Sequence, residues 1–165
     1  MPSSKARSLI VRPIEPDDHN WVKNILDEYW GSTRIISRGQ IHNADNLPGF
    51  IALSDANESG LATYSIVGKK CELVTLNSLI ENLGVGTAMI EAVKNEAITR
   101  KCTTLWLITT NDNTRALRFY QKRGFKLTAI YPDAIHKSRQ LKPEIPLIGN
   151  NGIPIRDEIE LEMIL

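Results

Sequence analysis

Cysteine is scarce in this chain: two among 165 residues, Cys71 and Cys102, each in an apolar stretch and neither in a C-x-x-C. A chain of this length buries a core without a disulfide framework, so both read as reduced core thiols. Histidine is nearly as sparse. His19, His42 and His136 lie far apart, with no H-E-x-x-H and no cysteine at ligand spacing, so no metal is expected. Charge of one sign is missing too: lysine and arginine number 20 against 19 acids, a formal net charge of +1, and no overall field draws the chain to nucleic acid or to an anionic membrane. Nowhere is there a run of about 18 apolar residues to span a bilayer, and the apolar run ending at Pro13 is too short for the core of a signal peptide. A cytoplasmic protein is expected, one domain over residues 1–165 with a flexible extension at 1–8.

What is present is a regular alternation of apolar segments and turn residues. Leu9, Ile10 and Val11 ahead of Arg12-Pro13 predict a short first strand, since branched residues suit a pleated surface and proline cannot continue a ladder. Pro16-Asp17-Asp18 opens a helix that stops near Gly31; Trp21, Ile25 and Tyr29 at four-residue spacing, with Val22 and Leu26 beside them, form the stripe of a helix lying on a sheet. Residues 32–48 mix Arg34, Arg38, Gly39 and His42 with isoleucines and predict a loop with a short helix. Residues 50–53, 62–67 and 72–76 predict three strands of an antiparallel meander, joined by a polar turn over 54–60 and a tighter one at 68–70. Val85, Met89, Val93 and Ala97 then repeat at helical spacing, and Thr104-Leu105-Trp106-Leu107-Ile108 is the apolar run of a strand covered on both faces. A strand-helix-strand crossover forces parallel pairing, so the sheet must be mixed.

Asn113 caps a further helix over 114–122, Gly124 ends it, and 125–131 is extended. In 158–165, Ile159, Leu161, Met163 and Leu165 alternate with Glu158, Glu160 and Glu162. That pattern predicts a strand with one wet face, whose exposed backbone edge could take up a second copy of the chain as a homodimer. Residues 132–157 hold Pro143, Pro146, Pro154, Gly149 and Gly152 and predict a long loop beside a site.

Chemistry is carried by two motifs. Leu83-Gly84-Val85-Gly86-Thr87-Ala88 lies between a strand and a helix, where glycines bring several backbone N–H groups to the positive helix end that holds a phosphate or pyrophosphate. A tight packing turn is the plain alternative. The absence of G-x-x-x-x-G-K-[ST] and of a third fingerprint glycine disfavours a nucleoside triphosphate and NAD. Further along, Asn113, Ala116 and Tyr120 occur before Gly124-Phe125.

Together these motifs resemble the GNAT superfamily of acetyl-CoA-dependent N-acetyltransferases, whose turn reads Q/R-x-x-G-x-G/A and whose later helix reads N-x-x-A-x-x-x-Y before G-F. Gly84 and Gly86 match the first pattern; Asn113, Ala116, Tyr120, Gly124 and Phe125 match the second. The resemblance implies an α/β fold, a mixed, twisted central sheet of about six or seven strands flanked by about four helices. It implies acetyl-CoA as cosubstrate, no metal, and an amine of a small molecule or peptide as acceptor. The amides of Leu83, Gly84, Val85, Gly86, Thr87 and Ala88 would grip the diphosphate, and the pantetheine arm would lie where strands 72–76 and 104–108 part. An amide near Leu76 would donate to the thioester oxygen, Asn113 and Ala116 would border the arm, and Tyr120 would protonate the departing thiolate. Glu72, at the start of the strand lining the thioester, is the candidate general base; water could serve instead. Trp30, Arg34 and Arg38, and the segment with His136, Lys137 and Arg139, would border the acceptor site, which leaves an acidic acceptor open.

One position departs from the pattern. Glu81 stands where the family has Gln or Arg, so backbone amides and an arginine from elsewhere would have to neutralise the diphosphate, with weaker affinity. The departure leaves open a second class, a non-catalytic acetyl-CoA-binding sensor or interaction module of the same fold. Tyr120 as a packing residue, Asn113 as a helix cap and Glu72 as a solvated strand-end charge are the plain readings of those three. Cys71 has no histidine partner to make it a nucleophile, and direct transfer needs none.

Overall fold

Proline, glycine and asparagine set the element boundaries. In the computed structural model, which describes residues 8–165, the chain forms β1 (Leu9–Pro13), α1 (His19–Trp30), β2 (Arg34–Ser37), β3 (Gln40–Asn43), β4 (Gly49–Ser54), β5 (Asn57–Val67) and β6 (Lys70–Ser78). It continues through α2 (Val85–Thr99), β7 (Thr104–Thr110), α3 (Thr114–Lys122), β8 (Lys126–Tyr131), α4 (Ala134–Leu141) and β9 (Glu158–Ile164). Of the extension expected at 1–8, residues 1–7 lie outside the described residues; the Ser8 amide donates to Asp55 Oδ1 at 3.1 Å.

Seven strands join in the order β1-β4-β5-β6-β7-β9-β8, flanked by four helices, with β2 and β3 forming a separate hairpin. The sheet is mixed because β6 and β7 pair in parallel across the α2 crossover, while all its other pairs are antiparallel. Two cores cover it. α2 packs Val85, Met89, Val93 and Ala97, the spacing seen in sequence, against Leu73, Leu105, Leu107 and Leu161. On the opposite face α1 packs Val22, Ile25 and Leu26 against Ile51, Leu61 and Val74. Each of these valine, leucine, isoleucine and methionine side chains, when fully buried, contributes about 1.5–3 kcal/mol, and Ala97 less. The α1 stripe is centred on those three residues, so Tyr29 falls at its edge and is 54% exposed. Cys71 and Cys102 are free and buried.

Several expectations are corrected. The β4–β5 turn is only Asp55 and Ala56, both at positive φ (49° and 66°), the primed geometry that matches strand twist, so β5 begins well before residue 62. Residues 32–48 are the β2–β3 hairpin, turning at Arg38 and Gly39, followed by a single 3₁₀ turn at Ala44–Asn46. Residues 132–157 are not a bare loop: they contain α4, a 3₁₀ turn at Asn150–Gly152 and a bridge between Ile148 and Pro154. The final strand is not an edge. β7 and β8, joined through α3, lie parallel with a slot between them, and β9 fills it antiparallel to both; the sheet edges are β1 and β8. The basis for a homodimer through that strand is thereby removed. Nor is its glutamate face wet, because the hairpin folds over it and leaves Glu158 2% and Glu160 8% exposed. No helix among the described residues is long and apolar enough to cross a membrane.

Candidate active site

The site begins with a fault in the sheet. β6 and β7 pair only at Lys70↔Thr104, Cys71↔Leu105 and Glu72↔Trp106, although both strands run on. Just beyond the last rung, β6 carries a bulge: Thr63 faces Thr75 and Tyr64 faces Leu73, so Val74 is an extra residue. A bulge sharpens local twist and swings the strand off its neighbour. The opening is a cavity of about 290 Å³ walled by Leu73, Leu76 and Leu107, with Trp30 on one side of the sheet and Asn113 and Tyr120 on the other.

A second cavity, about 450 Å³, continues from it to the start of α2 and is lined by Leu76, Gly84, Val85, Gly86, Thr87, Asn113, Ala116 and Tyr120. Gly84, at φ 71°, turns the chain into the helix in a left-handed conformation that other residues rarely adopt. Gly86 is small of necessity: a β-carbon there would lie 2.8 Å from Phe119 Cζ. The Ala88 amide already bonds Gly84 O at 2.9 Å, closing the first helical turn. The amides open to an anion are therefore those of Val85, Gly86 and Thr87, and Ala88 drops out of the expected set. Leu83 packs on the core and does not line the cavity. Glu81 stands on the rim, ion-paired with Arg115 at 2.9 Å. Arg123 is beside it, bonded to Thr87 Oγ1 at 2.8 Å and stacked 3.5 Å over the Phe119 ring. These two arginines bring positive charge to the cavity rim, that of Arg115 offset by Glu81.

Asn113 caps α3, its Oδ1 accepting from the Ala116 amide at 3.1 Å, and also lines both cavities. Tyr120 faces the junction of the two, with its ring edge-on to Phe119 and Phe125; burial pushes its phenol pKa well above the usual value. Glu72 is buried at the last β6–β7 rung, and His42 Nε2 lies 3.1 Å from its Oε2, at ion-pair distance but off the line of a good hydrogen bond. The expectation of a solvated strand-end charge fails there, because β3 covers it.

On the hairpin side a third cavity, about 820 Å³, lies between the β2–β3 turn and α4 and reaches Arg38, Tyr131, His136, Lys137 and Glu158. Two fasteners hold it. Lys142 Nζ, buried, donates to Trp30 O (2.6 Å) and Arg34 O (2.8 Å), tying α4 to the end of α1; that burial pulls its pKa down. Asn111 Oδ1 accepts from the amides of Arg156 and Asp157 at 3.0 Å each, so the polar turn before α3 also positions the start of β9. Arg139 serves structure, donating to Ile145 O, Pro146 O and Ile155 O. Burial pushes the Glu158 carboxyl above the usual range, with nearby Glu72 adding to the rise and Arg38 opposing it. Sequence reasoning did not single out Phe119, Arg115, Arg123 and Glu158, which line these cavities, or His42, which lies against Glu72. Among the described residues no three His, Cys, Asp or Glu side chains group to hold a metal.

Known proteins resemble this chain in sequence and in fold. A family model described as the acetyltransferase (GNAT) family matches residues 12–125. The Bacillus subtilis (strain 168) protein YdhI is 40% identical over 158 residues, covering 95% of this chain and 99% of that protein. Among solved structures, an IAA acetyltransferase from Bacillus cereus ATCC 14579 superposes with a TM-score of 0.71 at 19% identity, covering 96% of this chain and 100% of that one. A GNAT family acetyltransferase from Elizabethkingia anophelis with acetyl-CoA bound gives 0.67 at 22% identity, covering 95% and 98%. At these identities the structural likeness speaks for the fold alone.

Proposed function

The chain belongs to the GNAT acetyltransferase family, and on that premise we propose that it moves the acetyl group of acetyl-CoA to a primary amine of a small molecule or peptide by direct attack on the thioester. The observation that carries this reading is the hollow that runs from the amides at the head of α2 to the parted strands and Tyr120. Acetyl-CoA, when bound, supplies the activated acetyl thioester. This chain's groups bind, orient and move protons. Val85, Gly86 and Thr87 present amides to the diphosphate, with Arg115 and Arg123 making up the charge that Glu81 withholds. Leu76 and Leu107 exclude water from the parted strands.

Glu72, directly or through a water, takes a proton from the incoming ammonium, and His42 steadies that carboxylate. The amine lone pair would form the new N–C bond as the C–S bond breaks, the sulfur would take the proton of Tyr120, and the excess proton on the acylated nitrogen would return to the Tyr120 phenolate through solvent, leaving a neutral amide. Burial raises the phenol's pKa, which keeps that proton in place; the same dry surroundings raise the thiol's pKa alongside it, so the transfer stays feasible. Isothermal titration with acetyl-CoA, followed by free-thiol release with a panel of amines, tests the proposal. Heat on titration and amine-dependent thiol release are expected; no heat at sub-millimolar acetyl-CoA sinks it.

A further inference from the structure

The third cavity carries information that the function above leaves unused. At about 820 Å³ it is sized for a small molecule rather than a polypeptide chain end alone. Its floor is Glu158, one Oε of which accepts from the Arg38 amide at 3.0 Å. The other, Oε1, accepts no hydrogen bond among the described residues, and the side chain, only 2% exposed, lines the cavity. Glu158 pairs with Thr110, one rung beyond Thr109, which lines the gap between the parted strands. Glu158 is therefore one strand away from the gap, on the far side of β7.

The opposite wall is of the other sign. Ala134, Lys137, Ser138 and Leu141 follow one another at i, i+3, i+4 and i+7 on α4 and all line the cavity, which puts Lys137 on the face that looks into it. Of the other ionisable wall groups, Asp133 pairs with Arg156 and Arg38 with Glu160, while His136 stands exposed next to Lys137. Tyr131, under the Arg38 guanidinium at 4.7 Å, supplies an apolar wall between the two ends. A buried carboxylate with an oxygen lacking a donor is satisfied by an ammonium, and an unpaired lysine across a hydrophobic span by an anion.

We infer that the acceptor is a small zwitterion, a primary amine that carries its own carboxylate or phosphate, with the amine at Glu158 and the anion at Lys137. This rests on the acetyl-transfer reading above and names the substrate class for it. α-Amino acids and ω-amino acids share that chemistry and differ in the span between the two charges.

The test compares thiol release for phenylalanine, phenylalaninamide and phenethylamine, and for 6-aminohexanoate and hexylamine, with acetyl-CoA binding measured by titration in the same preparation. The acids are expected to exceed the matched amide and bare amines by about tenfold or more in kcat/KM, and whichever acid is preferred reports the span. Lys137→Glu, far from the α2 turn, is expected to raise KM for the acid about tenfold while leaving KM for the amide within about twofold. Amides or bare amines used as readily as acids, or no acid acetylated although acetyl-CoA binds, overturns the inference and leaves the family function standing. If acetyl-CoA gives no heat, the transfer reading fails and the inference falls with it.

Discussion

Tyr120 differs from its neighbour Phe119 by one hydroxyl at the junction of two cavities. Tyr120→Phe keeps the edge contact with Phe125 and removes the proton offered to the leaving sulfur. We expect kcat to fall roughly 10²–10⁴-fold in the thiol-release assay, with the Kd for acetyl-CoA from titration changing less than about threefold. An unchanged rate would return Tyr120 to a packing role. Glu158 behaves differently. Desolvation raises its pKa from the ordinary 4.5, so the folded state prefers the protonated acid; the stability this gives is full below about pH 4.5 and is lost as pH rises through the folded value. Glu158→Gln, which stays neutral, should therefore melt higher than the parent at pH 7, the gap closing toward pH 4.5; a gap that widens on acidification sinks this account.

At the scale of elements, α2 and α3 approach so closely that Gly86 has no room for a side chain. Gly86→Ala must push the Phe119 ring, and Arg123 stacked on it, away from the α2 head. About 1–3 kcal/mol of stability, read from a urea midpoint, and a clear loss of acetyl-CoA affinity are expected together. Both helices, and the glycine turn between strand and helix, were legible in sequence because their caps and apolar periods are local. The β2–β3 hairpin was not: four-residue strands are too short to show alternation, and their isoleucines face differently, Ile35 buried and Ile41 exposed. α4 has two turns and only Ile135 and Ser138 buried, too little for a stripe. In β9 alternation told which residues share a face, but not that the hairpin covers the face holding Glu158 and Glu160. Hence the cofactor half of the site, built from contiguous motifs, could be read. The hairpin side, where Arg38 and His42 come over Glu72 and Glu158 and α4 brings Lys137 near, depends on strand order and could not.

On the proposed reading the two substrates lie on opposite faces of one sheet, α2 and α3 behind the first, the hairpin and α4 around the second, and react across the gap between β6 and β7. Both substrates must then be present together. Initial velocities measured against both should give intersecting double-reciprocal lines, not the parallel lines of an acyl-enzyme route. The thiol nearest the gap is poorly suited to an acyl-enzyme route: Cys71 is fully buried and its pKa is pushed up to about 12 by that burial, so Cys71→Ala should keep kcat within about twofold. The three rungs between β6 and β7 have a mechanical corollary. A sheet left unzipped at its centre is softest there, in the place where most proteins are stiffest, and a pantetheine arm with amides of its own would act as the missing stitch. Deuterium uptake at residues 73–77 and 107–109 should drop when acetyl-CoA is added, so that saturation of the enzyme becomes readable as rigidity.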